Sequence, residues 1–314
     1  MLVVIGIISS SAITAADLAT GVTATRAPAS TIHIGYQRYG SLNILKAHGT
    51  LEHRLADAGV TVEWSLFQAG PQLLEGLNVG SIDFGSTGEA PPIFAQAAGV
   101  PLLYVGNEPP NPDSEAILVP QGSPLNTIKD LKGKKVALNK GSNVHYFLVK
   151  ALEANGLSYS DVQVEFLKPA DARSAFEQGH VDAWVIWDPF LTAARVATKA
   201  KILLDGTKLV ANREFFIAQR DFAHAHPDLV AVVLDEINKA DTWALQKPKD
   251  VAELLAPDVG VDPDVLEEIA KRQARGVQAI TADTIADQQR IADAFLTLKL
   301  LPAAIQVRDA TSLK

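Results

Sequence analysis

Two stretches of this chain repeat each other at a constant offset, and the duplication limits the folds that the chain can adopt. The segment Gly80–Asp83 (Gly-Ser-Ile-Asp) recurs 99 residues later as Gly179–Asp182 (Gly-His-Val-Asp). The pair Gly40-Ser41 recurs 101 residues later as Gly141-Ser142. Stacked arrays need three or more units of about 20–50 residues, whereas two units of roughly 100 residues form two lobes that face each other across a cleft. We therefore expect function where equivalent loops of the two units converge.

The composition favours a globular protein of two domains and argues against a nucleic-acid partner. A chain of 314 residues has room for two ordinary domains, each with its own core. Its net charge of −8 opposes binding to nucleic acid, because such binding needs a clustered basic face. The sequence contains no cysteine, which excludes disulfides, thiolate nucleophiles, thiolate metal sites and a lipid-modified cysteine.

The N-terminus has the pattern of an export signal. Residues 2–16 form an apolar run followed by small residues, and this run is too short to span a bilayer. A buried N-terminal strand is the alternative interpretation. We predict that residues 1–30 are a signal peptide and leader, that the mature protein begins between Asp17 and Ser30, and that it is periplasmic.

Hydrophobic periodicity predicts alternating strands and helices in both units. In the first unit the order is strand, helix, strand, helix, strand, with the elements at Thr31–Tyr36, Leu42–Ala58, Val60–Phe67, around Pro71–Leu77, and at Ile82–Gly85. The second unit repeats this order between Val136 and Ile186. Such an order calls for parallel strands joined by helical crossovers. From Arg220 onward the pattern is almost wholly helical, and these helices have no counterpart in the repeat.

The unmatched C-terminal helices are expected to pack on the first lobe, so the chain must cross between the lobes twice. We predict an outward crossing near Val119 and a return near Phe216. The expected division is residues 31–119 with 218–314 for the first lobe, and 120–217 for the second.

Four loops are candidates for ligand contact. In parallel α/β sheets, ligands lie at the carboxyl ends of strands, where helix N-termini present unpaired N–H groups. The loops that fit are Gln37–Ser41, Ser86–Glu89, Gly141–Asn143 and Trp187–Pro189. Each brings a hydroxyl, glycine or aromatic residue to a helix start, which suits an anion held by backbone dipoles. An ordinary N-cap is the alternative for any single loop, but four corresponding positions favour a site.

Individual side chains in these loops have alternative interpretations. Trp184 and Trp187 lie three residues apart on a strand and therefore point to opposite faces, so we assign Trp187 to the cleft and Trp184 to the core, although both could be core. His145 could reach an anion or be solvated. Glu89 and Asp188 could accept a ligand ammonium or cap their helices. The full set of predicted ligand-binding residues is Gln37, Tyr39, Gly40, Ser86, Thr87, Gly88, Glu89, Ser114, Ser142, Asn143, His145, Trp187 and Asp188.

The sequence lacks the common catalytic motifs. It contains no nucleophile elbow, zinc-binding His-Glu pattern, phosphate-binding glycine loop or dinucleotide fingerprint. We therefore expect no catalytic residues, no metal and no cofactor.

Several phrases of the chain resemble the periplasmic aliphatic sulfonate-binding proteins of ATP-binding-cassette (ABC) importers. The phrases are Ile34–Gln37, Phe67–Gln72, Glu75–Gly88, Pro91–Gly99, Tyr104–Gly106, Lys168–Arg173 and Val181–Pro189. The resemblance implies an α/β, type II periplasmic-binding fold of two lobes, each a mixed, mainly parallel sheet flanked by helices, joined by two hinge crossovers.

The same resemblance implies a monomeric receptor that captures an alkanesulfonate between its lobes and delivers it to a membrane permease for sulfur acquisition. Binding proteins for taurine, nitrate and a thiamine pyrimidine precursor share the broader pattern and remain alternatives. An enzyme that acts on a small anion in the same cleft is the alternative from another functional class.

Overall fold

The structure is a computed structural model that describes residues 30–312. The predicted signal peptide therefore lies outside the described residues, apart from Ser30. No helix within 30–312 is both long and apolar enough to cross a membrane.

Within residues 30–312, ten strands form two five-stranded sheets. The first sheet has the order β2-β1-β3-β10-β4, and the second has the order β7-β6-β8-β5-β9. The strands of the first sheet are β1 (Thr31–Tyr36), β2 (Thr61–Leu66), β3 (Phe84–Gly88), β4 (Leu102–Asn107) and β10 (Glu214–Gln219). Those of the second are β5 (Glu115–Val119), β6 (Lys135–Leu138), β7 (Gln163–Phe166), β8 (Ala183–Trp187) and β9 (Lys201–Asp205).

The two sheets have the same topology, as the sequence repeat predicts. In each sheet three strands are parallel and a fourth, β10 or β5, pairs antiparallel with the third. The repeat extends to register, because Ile34 pairs with Phe84 in the first sheet and Val136 pairs with Ala183 in the second. Each sheet is flanked by helices, so the predicted fold class of two mixed α/β lobes is confirmed.

Twelve α-helices are present between residues 30 and 312. They are α1 (Ser41–His48), α2 (Thr50–Ala56), α3 (Gly70–Asn78), α4 (Pro91–Ala97), α5 (Asn143–Ala154), α6 (Pro169–Glu177), α7 (Phe190–Thr198), α8 (Arg220–Ala225), α9 (Pro227–Gln246), α10 (Pro248–Val259), α11 (Pro263–Arg272) and α12 (Ala282–Thr297).

The C-terminal helices share their cores with the first sheet. Val233 and Ile237 of α9, with Leu266 of α11, pack in one cluster with Ile32 and Ile34 of β1. On the other face of the sheet, α12 packs with helices α3 and α4. We call the first sheet with these helices the first lobe, and the second sheet with α5, α6 and α7 the second lobe.

Two predicted elements differ from the structure for local reasons. The helix predicted over Leu42–Ala58 is two helices, because Gly49 adopts the left-handed conformation (φ 66°) between them. The strand predicted at Ile82–Gly85 is shifted and runs from Phe84 to Gly88. Ser86, Thr87 and Gly88 are consequently strand residues, not residues of a loop.

The crossings between the lobes occur earlier in the chain than the sequence suggested. Strand β5 pairs with β8 and β9 in the second sheet, so the outward crossing lies between Asn107 and Glu115. Strand β10 pairs with β3 and β4 in the first sheet, so the return lies between Asp205 and Glu214. The predicted boundaries at 119 and 217 assigned all of β5 to the first lobe and residues 214–217 of β10 to the second, so these assignments were wrong. The division of the remaining segments stays a prediction.

Candidate functional site

A cavity of about 90 Å³ lies between the lobes, at the carboxyl ends of their parallel strands. Of the thirteen residues predicted from sequence, the structure brings ten to its wall: Gln37, Tyr39, Gly40, Thr87, Gly88, Ser114, Ser142, Asn143, Trp187 and Asp188. Ser86, Glu89 and His145 do not line it. Whether any of these residues contacts a ligand stays a prediction.

Five helices begin at the cavity wall. The lining includes Gly40, which precedes α1, together with the first residues of α3, α4, α5 and α7. The first N–H groups of a helix lack partners within the helix and carry its positive dipole end. Helix α4 begins with Pro91 and Pro92, which have no N–H to donate. The remaining starts come from both lobes, so an anion in the cavity would meet donors from two sides.

Thr87 is the most informative polar side chain in the wall. Thr87 is fully buried, and its hydroxyl has no hydrogen-bond partner among the described residues. An unpartnered buried hydroxyl costs free energy, so a bound ligand is expected to satisfy it. The hydroxyl faces the start of α3, where Gly70 leaves room for it.

Other hydroxyl and amide groups in the wall are already engaged. The Ser142 hydroxyl donates to the Asn139 carbonyl over 2.7 Å. Both amide hydrogens of Asn143 are used, because its Nδ2 donates to Glu115 Oε2 at 2.6 Å and to Asn212 Oδ1 at 2.9 Å. These side chains therefore shape the wall, and their contribution to an anion would come from the backbone at the start of α5.

Ser114 and Asn212 continue this network around the wall. The Ser114 hydroxyl donates to the Asn111 carbonyl at 2.8 Å and accepts from Asn212 Nδ2 at 2.9 Å. The network ties the two chain crossings to each other, because Ser114 lies in the outward crossing and Asn212 lies in the return. It fixes the hinge side of the cavity.

An aromatic surface faces the polar groups. Trp187 lines the cavity beside Phe190, with the two rings in an edge-on contact of 6.3 Å. Trp184 is fully buried in the core of the second lobe. The tryptophans thus lie on the faces that strand alternation assigned to them, and Trp187 can cover an apolar part of a ligand.

Tyr39 and Gln37 form the first-lobe side of the wall. Gln37 donates from Nε2 to the Ser86 carbonyl at 3.1 Å, which fixes the side chain after strand β1. The Tyr39 hydroxyl accepts from Arg275 Nη2 at 3.5 Å. Burial raises the pKa of Tyr39, so its phenol keeps a hydrogen to donate at neutral pH.

A buried cluster of charged groups lies behind Tyr39. Ser41 Oγ is 2.5 Å from Glu108 Oε1 and 2.5 Å from Asp241 Oδ1, and it accepts from Arg275 Nη1 at 3.0 Å. A serine hydroxyl has a single hydrogen, so it can donate to only one carboxylate, and the other carboxyl must carry a proton. One of the two carboxyl groups is therefore protonated. Burial and the neighbouring Asp241 raise the pKa of Glu108 to about 8, and Arg275 lies 3.7 Å from Asp241 Oδ1.

Burial raises the pKa of further carboxyl groups around the cavity, so they are protonated over a wider pH range than exposed carboxyl groups. Burial raises the pKa of Glu214, which lines the cavity, to about 7, and a hydrogen bond from Ser86 opposes the shift. Burial likewise raises the pKa of Glu89 to about 7. The pKa of Glu115 is raised by burial and by the nearby Glu89. Protonation limits the negative charge that these groups would present to an anion.

The structure places three predicted residues behind the wall. The hydroxyl of Ser86 is turned to Glu214, and Glu89 accepts the Arg213 N–H at 3.3 Å. His145 is fully buried, where its Nδ1 accepts the Gly141 N–H at 3.3 Å and its Nε2 lies 2.7 Å from the Tyr159 hydroxyl. Burial lowers the pKa of His145 to about 4, so the ring is neutral.

Asp188 lies in the wall but is bonded to protein groups. Its Oδ1 accepts the backbone N–H and the hydroxyl of Thr192, at 3.1 and 2.7 Å, which caps helix α7. Its Oδ2 accepts from Arg272 of the first lobe. The capping interpretation therefore describes this residue, and Arg272 is a partner that the sequence did not indicate.

Several lining residues were missed by the sequence analysis. They are Gln68, Gly70, Pro91, Glu108, Asn111, Phe190, Asn212, Glu214 and Gln273, whereas Arg38 and Pro189 lie in two of the candidate loops. Gly70, Pro91 and Phe190 had a usable signal, because each begins a helix after a strand of the repeat. Glu214 and Gln273 had none, since they reach the cavity only through the second crossing and the helices beyond the repeat.

Comparison with known proteins gives a consistent family. Residues 55–251 match the NMT1/THI5-like family model. A relative from Escherichia coli (strain K12), named as an aliphatic sulfonates-binding protein, is 42% identical over 296 residues, covering 93% of this chain and 92% of that protein.

Two solved structures are similar over about nine tenths of the chain. The alkanesulfonate-binding protein SsuA from Xanthomonas axonopodis pv. citri, bound to MOPS, has a TM-score of 0.87 at 42% identity, covering 90% of this chain and 98% of that one. The periplasmic aliphatic sulphonate binding protein SsuA from Escherichia coli has a TM-score of 0.81 at 42% identity, covering 89% and 96%. The chain belongs to the NMT1/THI5-like family, in the group of the aliphatic sulfonate-binding proteins.

Proposed function

We propose that this protein is a receptor that captures an aliphatic sulfonate between its lobes and delivers it to the permease of an ABC importer. The observation that carries the proposal is the unpartnered, buried hydroxyl of Thr87 in a cavity where helix starts from both lobes meet. The names of the similar proteins support the ligand class and the transport role.

The chemistry of the wall suits a sulfonate headgroup. Among the described lining residues Arg38 is the single cationic side chain, and it is exposed. The charge of the headgroup would therefore be stabilised by the Thr87 hydroxyl, the Tyr39 phenol and the helix starts of α3 and α5. Neutral donors and dipoles can bind a fully ionised anion without a salt bridge.

The alkyl chain of the ligand would lie against Trp187 and Phe190. This surface is apolar, whereas the headgroup side is polar, so a sulfonate with a carbon chain would satisfy both. Nitrate would leave the aromatic surface without a partner. We propose on the same grounds that the protein works as a monomeric periplasmic receptor, without cofactor or metal, and does not transform its ligand.

Calorimetry and thermal shift with methanesulfonate, propanesulfonate, taurine, sulfate and nitrate test the function. Propanesulfonate at one hundred times its dissociation constant should stabilise the protein by about 2.7 kcal/mol. Mass analysis of the ligand after incubation should return it unchanged, whereas conversion would indicate an enzyme. Stabilisation by nitrate or sulfate alone would contradict the proposal.

A further inference from the structure

The contact between Arg272 and Asp188 joins the two lobes across the cavity. Arg272 is the last residue of α11, whose Leu266 and Ile269 belong to the core of the first sheet. Asp188 follows β8 of the second sheet and lies between the cavity-lining residues Trp187 and Pro189. The partners are therefore held by different lobes, and the contact requires the lobes to be closed.

Asp188, the second-lobe partner in this contact, is held in place by other groups of the second lobe. The side chain of Asp188 is only 3% exposed, and its Oδ1 is occupied by the backbone and hydroxyl of Thr192. Its Oδ2 is left for Arg272, which also donates from Nη2 to the Thr192 hydroxyl at 2.6 Å. One guanidinium thus fastens two adjacent groups at the start of α7.

The first-lobe half is also positioned. Arg272 donates from Nη1 to Glu268 Oε1 at 3.1 Å, one turn earlier on α11. The next residue, Gln273, lines the cavity, and its Oε1 is buried without a partner among the described residues. The end of α11 therefore reaches the ligand space at the point where Arg272 crosses to the second lobe.

A second ion pair between α11 and α7 provides an internal comparison. Arg195 Nη1 lies 3.7 Å from Glu268 Oε1, with side chains 39% and 52% exposed. Exposed pairs of this kind contribute little, because water and salt screen them. The Arg272 contact differs, since its carboxylate is almost completely removed from water, and removing one partner of such a buried pair leaves an uncompensated charge.

From this arrangement we propose that Arg272 is a positioning residue, a clasp that fastens the Trp187–Phe190 segment over the bound ligand and sets how slowly the ligand leaves. The inference rests on the proposed function for the identity of the ligand, but the clasp itself acts on lobe closure. Opening the lobes must break the contact before the ligand can escape, whereas entry into the open form does not depend on it. Its loss should therefore raise the dissociation rate, and any change in the association rate should be an increase, because more of the ligand-free protein is open.

Stopped-flow fluorescence with propanesulfonate tests the kinetic part of the proposal. Arg272→Gln should raise the dissociation rate about tenfold or more, whereas the matched control Arg195→Gln should change it less than about twofold. The variant Asp188→Asn should resemble Arg272→Gln. The double variant Arg272→Gln/Asp188→Asn should have about the same dissociation rate as either single variant, because the two residues form one contact. Equal dissociation rates for Arg272→Gln and Arg195→Gln would overturn the clasp. So would a double variant whose rate increase is the product of the two single increases.

A distance measurement keeps the clasp testable without a ligand. The chain has no cysteine, so spin labels can be placed at the exposed positions Ser174 on α6 and Asp250 on α10. In ligand-free protein, Arg272→Gln should shift the label distances to longer values, and Arg195→Gln should not. Identical distributions for parent and Arg272→Gln would overturn the clasp. Failure of the parent protein to bind any sulfonate would instead overturn the proposed function and leave this distance result standing.

Discussion

Gly70 and Thr87 are packed so closely that a side chain at position 70 would overlap the Thr87 hydroxyl. The Cβ of that side chain would also come within 2.8 Å of Pro91 Cγ. Glycine is required here by the approach of α3 to β3, which brings a helix start against the hydroxyl that we assign to the ligand.

Replacing this glycine tests whether the approach matters for binding. Gly70→Ala should lower affinity for propanesulfonate about tenfold or more, equivalent to roughly 1.4 kcal/mol, because Thr87 must turn or α3 must withdraw. It should also destabilise the protein by about 1–3 kcal/mol, as overpacking does. Calorimetry and urea unfolding measure both. Gly122→Ala is the control, since a Cβ there meets no atom within 4 Å, and parallel effects in both variants would refute the explanation.

Thr87→Val separates binding from stability. The substitution removes a hydroxyl that has no partner in the structure, so the ligand-free protein should be as stable as the parent or more stable. Affinity for sulfonates should fall by about 1.5–3 kcal/mol, the range for a hydrogen bond to a charged group. The exposed Thr297→Val serves as the control in calorimetry and thermal unfolding. Undiminished affinity would remove Thr87 from the headgroup site.

Trp187→Ala tests the assignment of the alkyl chain. Loss of the aromatic surface should cost roughly 1–3 kcal/mol of binding for a longer alkanesulfonate, because less apolar area is shielded. Methanesulfonate, which has little chain to cover, should lose less. Isothermal calorimetry on both ligands gives the comparison, with Trp243→Ala as a control away from the cavity. Equal losses for the two ligands would mean that Trp187 acts on the headgroup or on folding.

Stability should fall as pH rises toward 8. The pKa values of Glu214 and Glu89 are raised by burial from 4.5 to about 7, so the folded protein binds more protons than the unfolded chain between those values. The free energy of unfolding is then largest below about pH 5 for these groups and decreases up to about pH 7. Urea unfolding at pH 5, 6, 7 and 8 measures the slope. Glu214→Gln should reduce the slope of the unfolding free energy against pH, and the exposed Glu253→Gln should not. An unchanged slope in Glu214→Gln would contradict the assignment.

Tyr159→Phe tests the structural role of His145. The substitution removes the hydroxyl that pairs with His145 Nε2, leaving a buried N–H unsatisfied at a cost of about 1–3 kcal/mol. Affinity for sulfonates should change less than about twofold, because neither residue lines the cavity. Tyr146→Phe, in the same aromatic cluster, should stay within about 0.5 kcal/mol of the parent. A large loss of affinity with unchanged stability would return His145 to the binding site.

The duplicated architecture could be predicted because it depends on local sequence patterns that recur in both units. Residues such as Gly80 and Gly179 recur at a fixed offset and both end a helix in the left-handed conformation, so turn chemistry marks equivalent positions in the two lobes. Alternation placed Trp184 and Trp187 on opposite faces of β8. Strand β10 could not be placed in its sheet, because its antiparallel position between β3 and β4 depends on pairing with residues more than 100 positions earlier.

The site could be predicted only as far as it follows the repeat. Loops after equivalent strands gave most of the wall, because the carboxyl ends of parallel strands share one edge of a sheet. The shift of β3 toward Gly88 turned Ser86 away from the cavity. His145 was assigned to the cavity because its position in the first turn of α5 was visible in the sequence, whereas the packing of Phe94 and Phe295 around it was not. Arg272 and Gln273 lie far along the chain, in helices outside the repeat.

The positions of β5 in the second sheet and β10 in the first determine the order in which the two sheets can be completed during synthesis. Every strand of the second sheet is contained in residues 115–205, whereas the first sheet needs residues 214–219. Until those residues are made, β3 and β4 have no strand between them, because β10 pairs with both. A chain synthesised from its N-terminus can therefore complete its second sheet before its first, and the lobe that is begun earliest is the last to close its core.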